Sequence, residues 1–144
     1  MNILFICTGN TCRSPMAEAV ARIRGKEIDP SMTFSSAGVA ASSSGRINTN
    51  AFNAIKKRYG VEFAHTPTQL TRDTASSYDY IAAMNGDIAS YAASVIGVPR
   101  EKILLLSRDI PDPYGASQEV YDKCLEVIEA EVLDLISALK GSKK

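Results

Sequence analysis

Residues 3–15 read Ile3-Leu4-Phe5-Ile6-Cys7-Thr8-Gly9-Asn10-Thr11-Cys12-Arg13-Ser14-Pro15. The first four are an unbroken apolar run, the mark of a short strand buried on both faces. Cys7 to Ser14 is polar and contains Gly9 and Asn10, so the chain turns there. Ser14-Pro15 reads as a helix start, with Ser14 as N-cap and Pro15 at the first helical position. Met16, Ala19, Val20 and Ile23 supply an apolar helix face, and Gly25 reads as its stop.

The same alternation continues along the chain. Met32 to Ser35 reads as a second strand ending at Ser36-Ala37-Gly38, Tyr78 to Met84 as a third, and Lys102 to Leu106 as a fourth. Helical spacing occupies Ala51 to Tyr59 and Ile88 to Val95, with a short helix from Thr71. A last helix is expected from about Ser117 to Leu139, burying Val120, Cys124, Ile128, Val132, Leu135 and Leu139. Strands separated by helices imply right-handed crossovers. The expected fold is α/β, a four-stranded parallel sheet with helices on both faces. It forms one domain over residues 1–140, with a short basic tail at 141–144. Ligands in such sheets bind beyond the carboxyl ends of the strands, which singles out the loops after them.

The loop after the first strand carries chemistry. Cys7 and Arg13 bracket five residues between a strand end and a helix N-terminus. Gly9 and Asn10 tolerate positive φ, which lets the loop curl with its N–H groups facing inward. A ring of amides at a helix N-terminus binds a tetrahedral oxyanion, and Arg13 can add two parallel hydrogen bonds. The same field favours a thiolate at Cys7, a nucleophile aimed at phosphorus. The Ser14 hydroxyl can donate to that sulfur or cap the helix.

Breaking a phosphate ester or phosphoramidate also needs a proton for the leaving group. Asp112 lies between Pro111 and Pro113 in the loop after the fourth strand. Proline fixes its own φ and keeps the residue before it extended, so the carboxyl projects. Asp112 is suited to protonate the leaving atom and then activate water.

Composition narrows the remaining classes. The 144 residues are 45% hydrophobic and 22% charged, which excludes a disordered chain. Sixteen basic residues balance sixteen acidic ones, so no general grip on nucleic acid or an anionic membrane is expected. No apolar run approaches the roughly 20 residues of a membrane helix, and no export signal is read at the start. Three cysteines make no disulfide framework, so a cytoplasmic setting is expected. No His, Cys, Asp or Glu cluster has metal-ligand spacing, and no cofactor is expected.

At Cys7-Thr8-Gly9-Asn10-Thr11-Cys12-Arg13-Ser14-Pro15, Ser36-Ala37-Gly38 and Asp112-Pro113-Tyr114 the chain resembles the low-molecular-weight protein tyrosine phosphatase family. The resemblance runs through the whole chain in order and spacing. It implies a flavodoxin-like single domain and a metal-free reaction on a phosphorylated protein through phosphocysteine, releasing inorganic phosphate. It implies Cys7 as nucleophile, Arg13 as phosphate clamp and Asp112 as acid and base. Thr8, Gly9, Asn10, Thr11, Cys12, Arg13 and Ser14 would bind the phosphate. Asn10, Ser14 and Ser36 match positions that shape the loop, and His65 matches one that supports it. Cys12 matches a second cysteine that forms a reversible disulfide with the nucleophile.

The departures concern the substrate. Tyrosine-directed members usually carry a bulky aliphatic residue where Thr11 stands and an aromatic within the loop that here reads Ala41-Ser42-Ser43-Ser44. Many carry a second aromatic where Gly115 stands. A phosphotyrosine ring favours aromatic walls, and this chain keeps only Tyr114 of them. The pattern of Thr11, Ser42 and Gly115 is similar to the bacterial protein arginine phosphatases of the same family. It implies phosphoarginine, with phosphotyrosine as the alternative. An arsenate reductase would need resolving cysteines beyond Cys12. A non-catalytic phosphate-binding module would lack Cys7, Arg13 or Asp112, and all three are present.

Overall fold

A computed structural model describes residues 1–42 and 45–142. Ser43, Ser44, Lys143 and Lys144, and with them part of the serine loop and of the basic tail, lie outside the described residues. The strands are β1 (Asn2–Cys7), β2 (Thr33–Gly38), β3 (Tyr80–Ala83) and β4 (Ile103–Leu105). They form one parallel sheet in the order β2-β1-β3-β4. β1 is central because it is the most apolar: Ile3, Leu4, Phe5 and Ile6 are all buried. Each such side chain contributes about 1.5–3 kcal/mol on burial. β2 and β3 flank β1 on opposite sides, so the strand order reverses there, and the carboxyl end of β1 opens at the crevice where α/β sheets bind ligands.

The helices are α1 (Arg13–Val20), α2 (Lys26–Ile28), α3 (Thr49–Tyr59), α4 (Arg72–Ala75), α5 (Gly86–Tyr91) and α6 (Gln118–Ser142). The first helix does not stop at Gly25. It continues through a wide π turn, Ala21–Gly25, into α2. Gly25 is there for packing: a Cβ would come within 2.6 Å of Ile136 Cδ1 and 3.4 Å of Phe34. α5 likewise starts two residues before the expected Ile88, capped by Asn85, which accepts from Ile88 N at 2.9 Å.

The buried stripe of α6 differs from the expected one. Tyr121, Leu125, Ile128, Val132, Ile136 and Leu139 are buried. Val120 is 46% exposed, and Cys124 and Leu135 are only half-buried. Ile128, Val132 and Leu139 are as expected, whereas repeated steps of four advance about 40° per step around a helix of 3.6 residues per turn, so Val120 and Cys124 start off the face that Ile128 and Val132 reach. Alternating steps of four and three hold it. α6 also runs on past Leu139 to Ser142, into what reads as a tail. No helix among the described residues is long and apolar enough to cross a membrane.

Lys56, Lys57 and Arg58 read as a solvated helix face and are all exposed, and each is also paired: with Glu62, with Asp122 and with Glu129. Arg58 grips Glu129 through Nε at 3.1 Å and Nη2 at 2.8 Å, and Tyr59 donates to the same carboxylate. Those bonds hold Glu129 down to about 2. A carboxylate whose folded value lies below its unfolded value of about 4.3 stabilises the fold above that value. The contribution is lost as pH falls through about 2. Glu129→Gln is therefore expected to lower Tm at neutral pH, and the gap to the parent should close between about pH 4.3 and about pH 2. Thermal melts across that range measure it; a gap independent of pH would assign the loss to packing.

Candidate active site

The loop from β1 to α1 closes around its own amides. The carbonyls of Cys7 and Thr8 accept from Val39 N at 3.0 Å and Ala40 N at 2.8 Å. The carbonyl of Thr11 accepts from Asn48 N at 2.8 Å, and that of Asn10 from His65 Nε2 at 2.7 Å. With its carbonyls bound from outside, the loop turns its N–H groups to the other side. Those of Thr8, Gly9, Asn10, Thr11 and Cys12 donate to no acceptor among the described residues. The curl rests on Asn10 alone, at φ 57°; Gly9 does not take a positive φ. Asparagine tolerates that conformation where most side chains do not.

Gly38, at the end of β2, admits this loop. A Cβ there would lie 2.6 Å from Thr8 O and 2.8 Å from Asn10 N, both backbone atoms that cannot swing away. Gly38→Ala is expected to displace the loop and lower kcat/KM by about 10²-fold, the effect of a misplacement near 1 Å. Circular dichroism should stay native; unchanged kinetics would mean that the loop yields freely.

Behind the loop runs a buried polar chain. Asn10 Nδ2 donates to Ser14 Oγ at 2.8 Å and to Ser36 Oγ at 3.0 Å, while its Oδ1 accepts from Thr68 N at 2.9 Å. Ser36 Oγ donates to Glu18 Oε1 at 2.6 Å. His65 Nε2 must carry a proton, because the Asn10 carbonyl can only accept; its Nδ1 lies 3.9 Å from Glu18 Oε1. Glu18 itself is anchored by Arg22 at 2.9 Å. Ser14 Oγ accepts from Asn10 and sits 2.9 Å from Cys7 Sγ and 3.4 Å from Ala37 O, the two acceptors that its single hydrogen reaches.

One of the two uses of Ser14 falls away. The helix begins at Arg13 with Cys12 as N-cap and without a side-chain cap, so Ser14 does not cap it. Pro15 falls at the third helical position, still in the first turn, where its missing N–H costs nothing.

Arg13 is 3% exposed. Its Nη1 donates to Ile110 O at 3.1 Å, and Ile110 N donates to Met84 O at 2.8 Å, which ties the acid loop to the end of β3. Nη2 has only long contacts, 3.4 Å to Thr8 Oγ1 and 3.5 Å to Asp112 Oδ2. Nε has no partner, the one such buried side-chain nitrogen or oxygen among the described residues. Nε and Nη2 share one edge of the guanidinium, the edge that grips an oxyanion with two parallel bonds. Leaving a buried donor unmade costs about 1–3 kcal/mol, so an anion gains that much by meeting it.

Asp112 is half-exposed beside Arg13, and its Oδ1 accepts from Tyr114 N at 3.1 Å. At the root of this loop Glu131 accepts from Ser107 Oγ and from Arg108 N at 3.1 Å. Tyr114, 77% exposed, stands next to Asp112. Thr11 is half-buried on the loop between β1 and α1. Ser42 is exposed, two residues beyond the Ala40 that binds Thr8. Cys12 is buried with Tyr121 OH at 3.4 Å, and burial raises its thiol above the ordinary range, opposed by bonds from Tyr121 and Thr11.

Glu18, Glu131 and Tyr121 are the residues that sequence reading missed. Glu18 had a signal: it stands four residues after Ser14 on the same helix face. Glu131 and Tyr121 had none, because their partners lie 24 and 109 residues away.

Residues 2–144 match the family described as Low molecular weight phosphotyrosine protein phosphatase. The chain is 32% identical to the protein-arginine-phosphatase of Bacillus subtilis, each covered over its whole length. It is 31% identical to the low molecular weight protein-tyrosine-phosphatase Etp of Escherichia coli, over 89% of this chain and 87% of that one. Among solved structures, the YwlE arginine phosphatase with a phosphorylated active-site serine in place of cysteine superposes with a TM-score of 0.91 at 32% identity, covering 97% of this chain and 96% of that one. The tyrosine phosphatase Wzb of Escherichia coli K30, in complex with sulphate, gives 0.85 at 29% identity, over 96% and 97%. A curled loop of inward amides with a cysteine at its start, an arginine edge that awaits an anion, and this likeness over the whole chain agree: the chain belongs to the low molecular weight phosphotyrosine protein phosphatase family and is a phosphatase.

Proposed function

We propose that this phosphatase removes phosphate from phosphoarginine side chains of proteins, with Cys7, Arg13 and Asp112 as its catalytic residues. The observation that carries the site is the Arg13 edge, with Nε unpartnered and buried between the Cys7 loop and Asp112. Phosphate oxygens take that edge and the amides of Thr8, Gly9, Asn10, Thr11, Cys12 and Ser14. Cys7 Sγ attacks phosphorus in line with the leaving nitrogen. The S–P bond forms as the P–N bond breaks, and the Asp112 carboxyl passes its proton to the guanidino nitrogen. The Asp112 carboxylate then takes a proton from water, whose oxygen attacks phosphorus. The P–S bond breaks, inorganic phosphate departs and the sulfur leaves as thiolate, with the Ser14 hydroxyl 2.9 Å away. A thiol-dependent cycle of this kind suits a reducing compartment, and the cytoplasm is the one we assign.

The likeness to protein-arginine-phosphatases supports the arginine assignment, as does the polar Thr11 on the loop. A guanidinium-borne phosphate brings N–H donors to the pocket mouth, which a hydroxyl satisfies and an aliphatic wall does not. Ser42 and Tyr114 complete the specificity set. Phosphotyrosine is the second reading, favoured by the exposed Tyr114 ring, which a phenyl ring could stack on. Parallel kcat/KM values on phosphoarginine and phosphotyrosine peptides decide between them; a tenfold preference for phosphotyrosine overturns the arginine reading. Thr11→Ile is expected to lower phosphoarginine turnover by about 10–100-fold, the scale of a lost polar contact, and to spare phosphotyrosine. Equal losses on both would remove Thr11 from the specificity set.

A further inference from the structure

The acid loop also borders a groove outside the phosphate site. About 240 Å³ in volume, it lies between this loop and the first turns of α6. Pro111, Pro113, Val120 and Cys124 give it apolar walls. Val120 is left 46% exposed there, an apolar side chain turned to solvent on a helix whose other large apolar residues are covered or half-covered. Burial pushes the Cys124 thiol up to about 11, so it lines the groove as a neutral, apolar group.

Two cations share this lining, Arg108 and Lys123. Neither forms an ion pair among the described residues, unlike Lys56, Lys57 and Arg58. Arg108 is not on a slack segment, because Glu131 binds its backbone N–H. The one carboxylate in the lining, Asp112, already faces Arg13 at 3.5 Å. The groove therefore combines apolar walls with uncompensated positive charge, and it begins at the residue that we assign to proton transfer.

We propose that this groove docks the part of the substrate chain next to the phosphorylated residue, and that it favours an aliphatic side chain followed by a carboxylate. The inference rests on the phosphoprotein reading of the site and deepens it. The aliphatic group covers Val120 and the proline edges, and the carboxylate meets Arg108 and Lys123. Because both cations are open to solvent, the charge preference weakens as salt rises.

The test is kcat/KM on three phosphorylated peptides that differ only in the residues flanking the phosphorylated one: Leu-Glu, Ala-Ala or Leu-Lys on both sides. The Leu-Glu peptide is expected to exceed the Ala-Ala peptide about tenfold. In the double variant Arg108→Glu with Lys123→Glu, Leu-Lys should overtake Leu-Glu. Each comparison is a ratio within one enzyme, so a general loss from misfolding cancels. Val120→Asp, at an exposed position that folding tolerates, should remove the advantage of leucine. Ratios within twofold for all three peptides overturn the groove and leave the phosphatase reading intact. Such ratios together with dimerisation that the double reversal abolishes would give the groove to a second copy of the chain instead. Failure to turn over any phosphorylated peptide overturns the proposed function, and this inference with it.

Discussion

Cys7→Ser is expected to abolish turnover, by about 10⁶-fold, the scale seen when a catalytic nucleophile is removed. A serine hydroxyl at this position has a far higher proton affinity than a thiol and is a weaker nucleophile at neutral pH. The anion site should survive. The loop amides, the Arg13 edge and the Asn10 hub do not involve the sulfur, and serine differs from cysteine by one atom. Inorganic phosphate should still bind in a calorimetric titration, with affinity within a few-fold of the parent. Turnover above about one per cent of the parent would mean that another group attacks phosphorus. Loss of both turnover and phosphate binding would mean that the loop itself had collapsed.

Asp112→Asn should slow turnover by about 10²–10⁴-fold, the usual span for a general acid. Asparagine keeps the shape and can still accept from Tyr114 N, so the loop should hold its position. The loss should depend on the leaving group. An aryl phosphate whose phenol is strongly acidic needs little protonation and should lose least; a basic leaving group should lose most. A series of aryl phosphates of graded acidity measures this directly. A uniform loss across the series would assign Asp112 to holding Arg13 rather than to proton transfer, since the two side chains lie 3.5 Å apart.

Both predictions concern residues that could be named from local sequence, and the reason is chemical. Cys7, Gly9, Asn10, Arg13 and Ser14 lie within eight consecutive positions, so the chain's own covalent geometry places them around one point once β1 and α1 form. Asp112 was legible for a different reason. Two prolines restrict it locally, and a parallel sheet gathers the loops at strand carboxyl ends on one side. The strands were legible because a run such as Ile3-Leu4-Phe5-Ile6 has no solvated face to offer.

What stayed hidden depends on partners distant in the chain. In the stripe of α6, Ile128, Val132 and Leu139 are buried as expected, but Val120, Cys124 and Leu135 give way to Tyr121, Leu125 and Ile136, because helix phase is set by the surface it packs on, and α1 and α3 decide that surface. Gly25 reads as a stop, but Ile136, 111 positions later, packs so close that its side chain would have to shift to admit a Cβ there. Ser14 reads as a cap, but its hydroxyl sits among Asn10, Cys7 and Ala37, and Ser36 and Thr68 aim the Asn10 amide.

The strand-loop-helix unit, the parallel α/β class and the residues we propose as nucleophile, clamp and acid are all readable from the chain alone, since each follows from local residue chemistry or from the period of the apolar pattern. Folding in three dimensions was needed to show which carbonyls are tied outward, that Glu18 closes the polar chain behind the loop, that Arg13 Nε is buried without a partner, and that Arg108 and Lys123 share a groove with Val120. These depend on side-chain hydrogen bonds and contacts between elements far apart in the chain, and no local pattern records where such a partner will stand.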